Sequence, residues 1–246
     1  MFDSLTIYVL VVIFLATLIR STLGFGEALV AVPLLALRIP ITVAAPLAVL
    51  VSVLVAAIII VQDWQHVHIR SAAWLIVASL FGIPLGILLL VKVDGHIVKA
   101  ILGTVIVAFS IYSLTGKTKL HLHQDHWGYL ICCGFLSGVL GGAYGMNGPP
   151  LAVYGSLRRW SPQHFRATLQ GYFLPASLAG LIGYLAFGVW GSAISRYFVL
   201  SLPIVVVAIL LGRAINHRVK DHGFFRFVYI ALMVIGGMLI TQSLLP

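Results

Sequence analysis

GVLGGAYGMNGPPLAVYGSLRRWSPQHFRATLQG, residues 138–171, decides how this chain folds. Gly141, Gly142, Gly145 and Gly148 crowd together with Asn147 among them, and Pro149 and Pro150 follow at once. Relative to alanine, glycine costs a helix about 1 kcal/mol and proline about 3 kcal/mol. The spacing therefore predicts a helix that breaks near 145–148. A new helix starts at Pro149, because proline suits the first helical turn. Uncharged sequence continues on both sides, which puts the break at membrane depth. Hydrocarbon cannot satisfy freed backbone amides, so broken backbone persists there only inside protein or along a wet cavity. A half-helix N-terminus opening on such a cavity is a means of holding an anion.

The rest of the chain agrees with a membrane setting. Of 246 residues, 61% are hydrophobic and 9% charged, against roughly 25% charged in soluble domains. Long uncharged runs make this an all-α polytopic membrane protein; a β-barrel would alternate in ten-residue segments instead. The N-terminus lacks the basic region and cleavage site of a signal peptide, so it reads as a retained first helix. The net charge of +9 comes from loops between helices and reports orientation, not nucleic-acid binding. Cys132 and Cys133 are adjacent, with no CxxC spacing, and read as buried, inert thiols.

A second broken run lies near the start. Residues 5–37 carry only Arg20 and Glu27 as charges, and Gly24 and Gly26 interrupt them. An offset of 121 residues sets Gly24 on Gly145, Gly26 on Asn147 and Ala31-Val32 on Ala152-Val153. The chain therefore reads as two transmembrane repeats, 1–120 and 121–246, forming one integral membrane domain. After each broken segment come three more, at about 41–62, 71–91 and 97–115, then at about 164–188, 192–212 and 224–245. Counting each broken segment once gives about eight crossings, four per half, and hence parallel repeats; the count stands if the pieces after the breaks are re-entrant and grows if they span. On that count the inner loops hold ten basic residues, including Arg38, Lys92 and Lys99. The outer loops hold Arg70, Lys117, Lys119 and Arg196. Both termini are then expected outside a plasma membrane.

At these residues a family resemblance becomes specific. Gly24-Phe25-Gly26 followed by Ala31-Val32-Pro33 resembles the first signature of the TauE/SafE-type sulfite exporters, also called toluenesulfonate uptake permeases. Gly148-Pro149-Pro150 followed by Phe165-Arg166-Ala167 resembles the second. The resemblance covers essentially the whole chain. It implies movement of a small anion such as sulfite, an organosulfonate or a related organic acid. It also implies a small residue where Glu27 stands, and there the chain departs from the pattern.

Glu27 is the one glutamate in the chain. Intramembrane acids are costly and are functional candidates by default; Glu27 reads either as a cap on the half-helix after Gly26 or as a coupling acid. Arg20, seven residues earlier, returns to nearly the same helix face, but the glycine break disturbs that geometry, and Arg20 is equally able to snorkel. Arg166 matches the Phe-Arg-Ala element. Gln170 lies one turn further on, so both can face one cavity. A guanidinium holds a sulfonate or carboxylate through paired N–H donors. Gly24, Gly26 and Gly148 let backbone approach an anion, Asn147 offers an amide, and Tyr144 gates or packs. His121, His123, Asp125 and His126 fit no strong zinc spacing and read as an exposed loop.

These residues point to a secondary transporter for a small anion held between the two breaks. No Walker A loop is present, so an ion gradient drives accumulation, with a proton favoured and Na⁺ as the other choice. No cofactor, metal or nucleic acid is called for, and a homo-oligomer is compatible. An anion channel is the alternative. An intramembrane enzyme is the weaker rival, because no Ser–His dyad, paired intramembrane carboxylates or HExxH motif is seen.

Overall fold

The computed structural model describes residues 3–63, 69–115, 122, 126–160, 162–216 and 222–244. All regular structure among them is helical: α1 (Ser4–Leu23), α2 (Glu27–Ala36), α3 (Ile41–Asp63), α4 (Ile69–Lys92), α5 (Gly95–Thr115), α6 (Trp127–Tyr144), α7 (Gly148–Leu157), α8 (Pro162–Ala186), α9 (Ser192–Asn216) and α10 (His222–Leu244). Both broken segments fall where the glycines predict. α1 ends at Gly24 (φ 87°) and α6 at Gly145 (φ 66°), a left-handed backbone that glycine adopts without a Cβ penalty. The new helices begin at Glu27 and Gly148, again 121 residues apart.

Among the described residues, seven helices are long and apolar enough to cross a bilayer, against eight crossings read from the sequence. Glu27–Ala36 and Val228–Leu244 are shorter apolar stretches. Large apolar side chains cover the outside, with Phe81 72% and Ile182 66% exposed; such a surface is stable against lipid, not water. Cys132 is also exposed and only Cys133 is buried, because neighbours on a helix point about 100° apart. That corrects the expectation of two buried thiols.

Small residues bring the helices together, as expected where lipid removes the hydrophobic drive for association. α4 and α6 pack through Gly82, Gly86, Gly138 and Gly142. A methyl group on any of these would overlap backbone of the facing helix. Leu75 lies opposite Gly134, Ser79 opposite Gly138, and Ile83 and Ile87 opposite Gly142, so α4 and α6 run in the same direction. Trp74 and Trp127, near their starts, are in edge contact at 4.5 Å. α1 packs on α9, with Ser21 and Leu18 near the end of α1 against Gly212 near the end of α9. α3 packs on α8. α5 packs on α10 with Gly103 against Gly236 and Phe109 against Tyr229, an antiparallel pair.

Each broken segment folds back on itself. α2 turns back beside α1: the Tyr8 hydroxyl donates to the Leu34 carbonyl at 2.5 Å, and the Arg38 guanidinium lies over the Tyr8 ring. Likewise the end of α7 returns to the start of α6, where the Leu122 amide donates to the Leu157 carbonyl. Each broken segment is thus a hairpin whose two ends share a face. Arg38 lies on the face where α1 begins, not across from it as the crossing count required. Three long helices, an odd number, follow each hairpin. The face at the start of α1 is called the first face below, and the face at the start of α6 the second.

Candidate functional site

Four helices converge on Arg20. It sits near the end of α1, where only 2% of its side chain is exposed. Nη1 donates to Glu27 Oε2 at 2.5 Å and to Ser52 Oγ of α3 at 2.6 Å. Nη2 donates to Gln170 Oε1 of α8 at 2.9 Å. The Phe173 ring, one turn beyond Gln170, lies 5.2 Å from the guanidinium carbon, within cation–π range. Nε is buried without a partner. Glu27 opens α2 and is 3% exposed; its second oxygen accepts from the Thr17 hydroxyl at 2.9 Å. The carboxylate points back to α1, so its hydrogen bonds are to Arg20 and Thr17.

The freed backbone at each break is satisfied by side chains, as burial demands. Gln170 Nε2 donates to the Gly24 carbonyl at 2.6 Å. Ser137 donates to the Asn147 carbonyl at 2.6 Å and shares a 2.9 Å hydrogen bond with the buried Tyr172 hydroxyl. Tyr184 donates to the Gly142 carbonyl at 2.9 Å.

Between the two breaks lies a pocket of about 20 Å³, room for one water-sized particle. Gly26, Glu27, Ala28 and Leu29 line it from α2, and Asn147, Gly148 and Pro149 from α7, with Arg20, Ser52, Phe25 and Phe173 around them. The first amides of a helix have no partner inside it, and here two helix starts face one enclosure. The two starts differ: Pro149 and Pro150 have no N–H, so α7 presents fewer amides than α2. Asn147 adds a side-chain amide whose Oδ1, packed against Gly141, is buried without a partner.

The sequence profile described as Sulfite exporter TauE/SafE matches residues 9–239, which include both breaks and every residue that lines the pocket. The chain belongs to the TauE/SafE family. It is similar to a probable sulfite/organosulfonate exporter TauE of Cupriavidus necator, at 24% identity over 93% of this chain and 91% of that protein. It is also similar to a probable membrane transporter protein of Methanocaldococcus jannaschii, at 24% identity over 65% of this chain and 66% of that protein. No solved structure matches it. As a TauE/SafE-family member with several long apolar helices, the chain is a multi-pass membrane protein of transporter kind.

Within this TauE/SafE fold the residues singled out from the sequence separate into three groups. Arg20, Glu27, Gly26, Asn147 and Gly148 line the pocket. Gly24 and Gln170 stand behind it, joined to each other, and Gln170 also holds Arg20. Tyr144 does not line it: its hydroxyl donates to the Val98 carbonyl at 2.9 Å, tying α6 to α5. The Arg166 side chain lies outside the described residues, as do His121, His123 and Asp125. Sequence reasoning missed Thr17, Ser52, Phe25 and Phe173. Hydroxyls and phenylalanines inside apolar runs carry no signal of their own; the one available clue was Thr17, one turn before Arg20.

Proposed function

We propose that this protein is a secondary transporter for a small anion, sulfite or an organosulfonate, whose acidic group sits between the two breaks. The observation that carries this reading is the enclosure shared by the starts of α2 and α7 and by Arg20. The starts supply amides and positive dipole ends, and Arg20 supplies a full charge. Glu27 already pairs with that charge. An arriving anion competes with the Glu27 carboxylate for Arg20, and a proton on Glu27 removes the competitor. Anion and proton therefore favour each other's binding, which supports proton coupling. Screening sulfite, sulfonates and small carboxylates by thermal shift tests the reading, because a ligand of the folded state raises its stability. Failure of every anion to stabilise the protein counts against it.

The helix pairings support two halves on one plan related by inversion, not the parallel repeat inferred from crossing number. Under the 121-residue offset, α4 on α6 corresponds to α9 on α1, and α3–α8 and α5–α10 each map onto themselves. With three long helices after each hairpin, the second half starts on the opposite face. Connections on the second face then carry Arg70, Lys117, Lys119, Arg158, Arg159, Arg166, Arg213, Arg218, Lys220 and Arg226. The first face carries Arg38, Lys92, Lys99 and Arg196. The balance is again ten to four, with different members in the first half. It supports a cytoplasmic second face and both termini outside.

A further inference from the structure

A second, larger cavity of about 270 Å³ opens among the end of α5, the end of α7 and the starts of α8 and α10. All four are second-face ends. Tyr112, Ser156, Phe165 and Tyr229 are among its walls. Among the described residues, this vestibule and the pocket at Arg20 have one lining residue in common, Phe25. Its ring stands edge-on to Phe165 at 5.7 Å between centroids. Its other side covers Gly148, where an added Cβ would sit 3.6 Å from the ring.

We propose that Phe25 is the gate between the second-face vestibule and the anion pocket. The inference rests on the transporter reading and assigns the route by which the anion reaches the site. A gate residue must block, and must be able to move. Phe25 blocks: it is 9% exposed, and the pocket behind it holds only about 20 Å³. Its backbone is placed to move, because it sits between two glycines at positive φ, Gly24 (87°) and Gly26 (97°), the residue type that crosses between backbone basins most freely. Space is also present. A void of about 10 Å³ lined by Ile19, Leu29, Val30 and Leu232 also borders the ring, with Tyr229 standing between it and the vestibule, so the ring lacks packing partners there. At the second break Met146 holds the corresponding place by the 121-residue offset, with one positive-φ neighbour, Gly145.

The test is thiol accessibility in a Cys132→Ser/Cys133→Ser background, read in right-side-out and inside-out vesicles. The reagent is a membrane-impermeant methanethiosulfonate bearing a sulfonate. Ser156→Cys, at the exposed wall of the vestibule, is expected to label from one face whatever stands at 25. Ala28→Cys, in the pocket, is expected to label slowly with Phe25 in place. With Phe25→Ala it should label from that same face about tenfold faster, as for a barrier lowered by roughly 1.4 kcal/mol; Phe25→Trp should give no increase. Phe25→Leu serves as a second opened variant if Phe25→Ala fails to insert. Equal Ala28→Cys labelling across the Phe25 series, while Ser156→Cys labels normally, overturns the gate, as does faster labelling from the opposite face only. Labelling rates need no substrate. If wild type binds no anion yet the Phe25 series behaves as stated, the gate stands and the substrate assignment falls.

Discussion

Arg20 and Glu27 form a 2.5 Å ion pair across a broken helix, each less than 4% exposed. Seven residues separate them, and on a continuous helix that spacing would stack them on one face. The chain reaches the same contact by another route: Gly24 and Gly26 turn α2 back, and Glu27 returns to the wall of α1. Two ions taken out of water need good geometry and further hydrogen bonds to offset their desolvation. Thr17, Ser52 and Gln170 supply those bonds.

Removing one partner should therefore be worse than removing both. Arg20→Ala leaves a buried carboxylate unpaired and is expected to destabilise the protein by about 3–5 kcal/mol. Arg20→Met/Glu27→Gln keeps volume without charge and should recover much of that loss. Thermal unfolding in detergent measures both. Equal losses for the single and double variants would mean that the pair is solvated.

Gly148 sets the space at the second break. An added Cβ there meets Phe25 and Phe173 at ordinary contact distances of 3.6 and 3.9 Å. Gly148→Ala should fold and retain measurable transport. Gly148→Leu should insert normally but stop transport, because three further carbons overfill a pocket of about 20 Å³ and keep an anion from the amides of α7. Reconstituted uptake or efflux, with surface expression as the control, separates the two. Full transport by Gly148→Leu would place the substrate elsewhere.

The glycines and prolines made the breaks legible, because their cost in a helix is local and large. Helix ends followed closely: the expected 41–62 is α3 at 41–63, and the expected 192–212 is α9 at 192–216. Direction was not legible. Whether α2 continues across the membrane or turns back depends on the φ of Gly24 and Gly26, and composition carries no trace of that choice. The placement of Arg38 follows from this cause. The site was legible where the side chains were out of place in hydrocarbon, as with Arg20, Glu27 and Asn147. It was hidden where ordinary residues did the lining. Ser52 and Phe173 lie in helices whose apolar character they barely disturb, and they belong to the site only because α3 and α8 bring them to Arg20.

Two arginines competed for the role of anion ligand on the sequence. Arg20 now stands in the pocket, while the backbone of Arg166 lies one turn before Gln170 on the second-face side. Arg20→Lys cannot serve Glu27, Ser52 and Gln170 through one planar fork. It is expected to weaken anion binding by roughly 10- to 150-fold, the equivalent of about 1.5–3 kcal/mol for a charged hydrogen bond. Arg166→Ala is expected to weaken binding by less. Titration of the stabilising anion against both variants decides the order, and a larger loss in Arg166→Ala would transfer the central role to Arg166.

Glu27 carries the coupling prediction. Its carboxylate holds Arg20, so an anion must displace it or share the guanidinium. Like charges around one cation repel, and a proton on Glu27 removes that repulsion. Wild-type affinity for the anion should therefore rise as pH falls. Glu27→Gln keeps the shape, removes the competing charge and cannot take up a proton. It should bind the anion at least as tightly as wild type at neutral pH, and its affinity should be flat across the same range. Proton-driven accumulation should be lost, while exchange of anion for anion continues, because the site still opens and closes. The deciding measurement is affinity against pH for both proteins in parallel, over a range where the anion keeps one charge state. Two curves of the same slope would remove Glu27 from coupling and leave it as the partner that keeps Arg20 in place between the breaks.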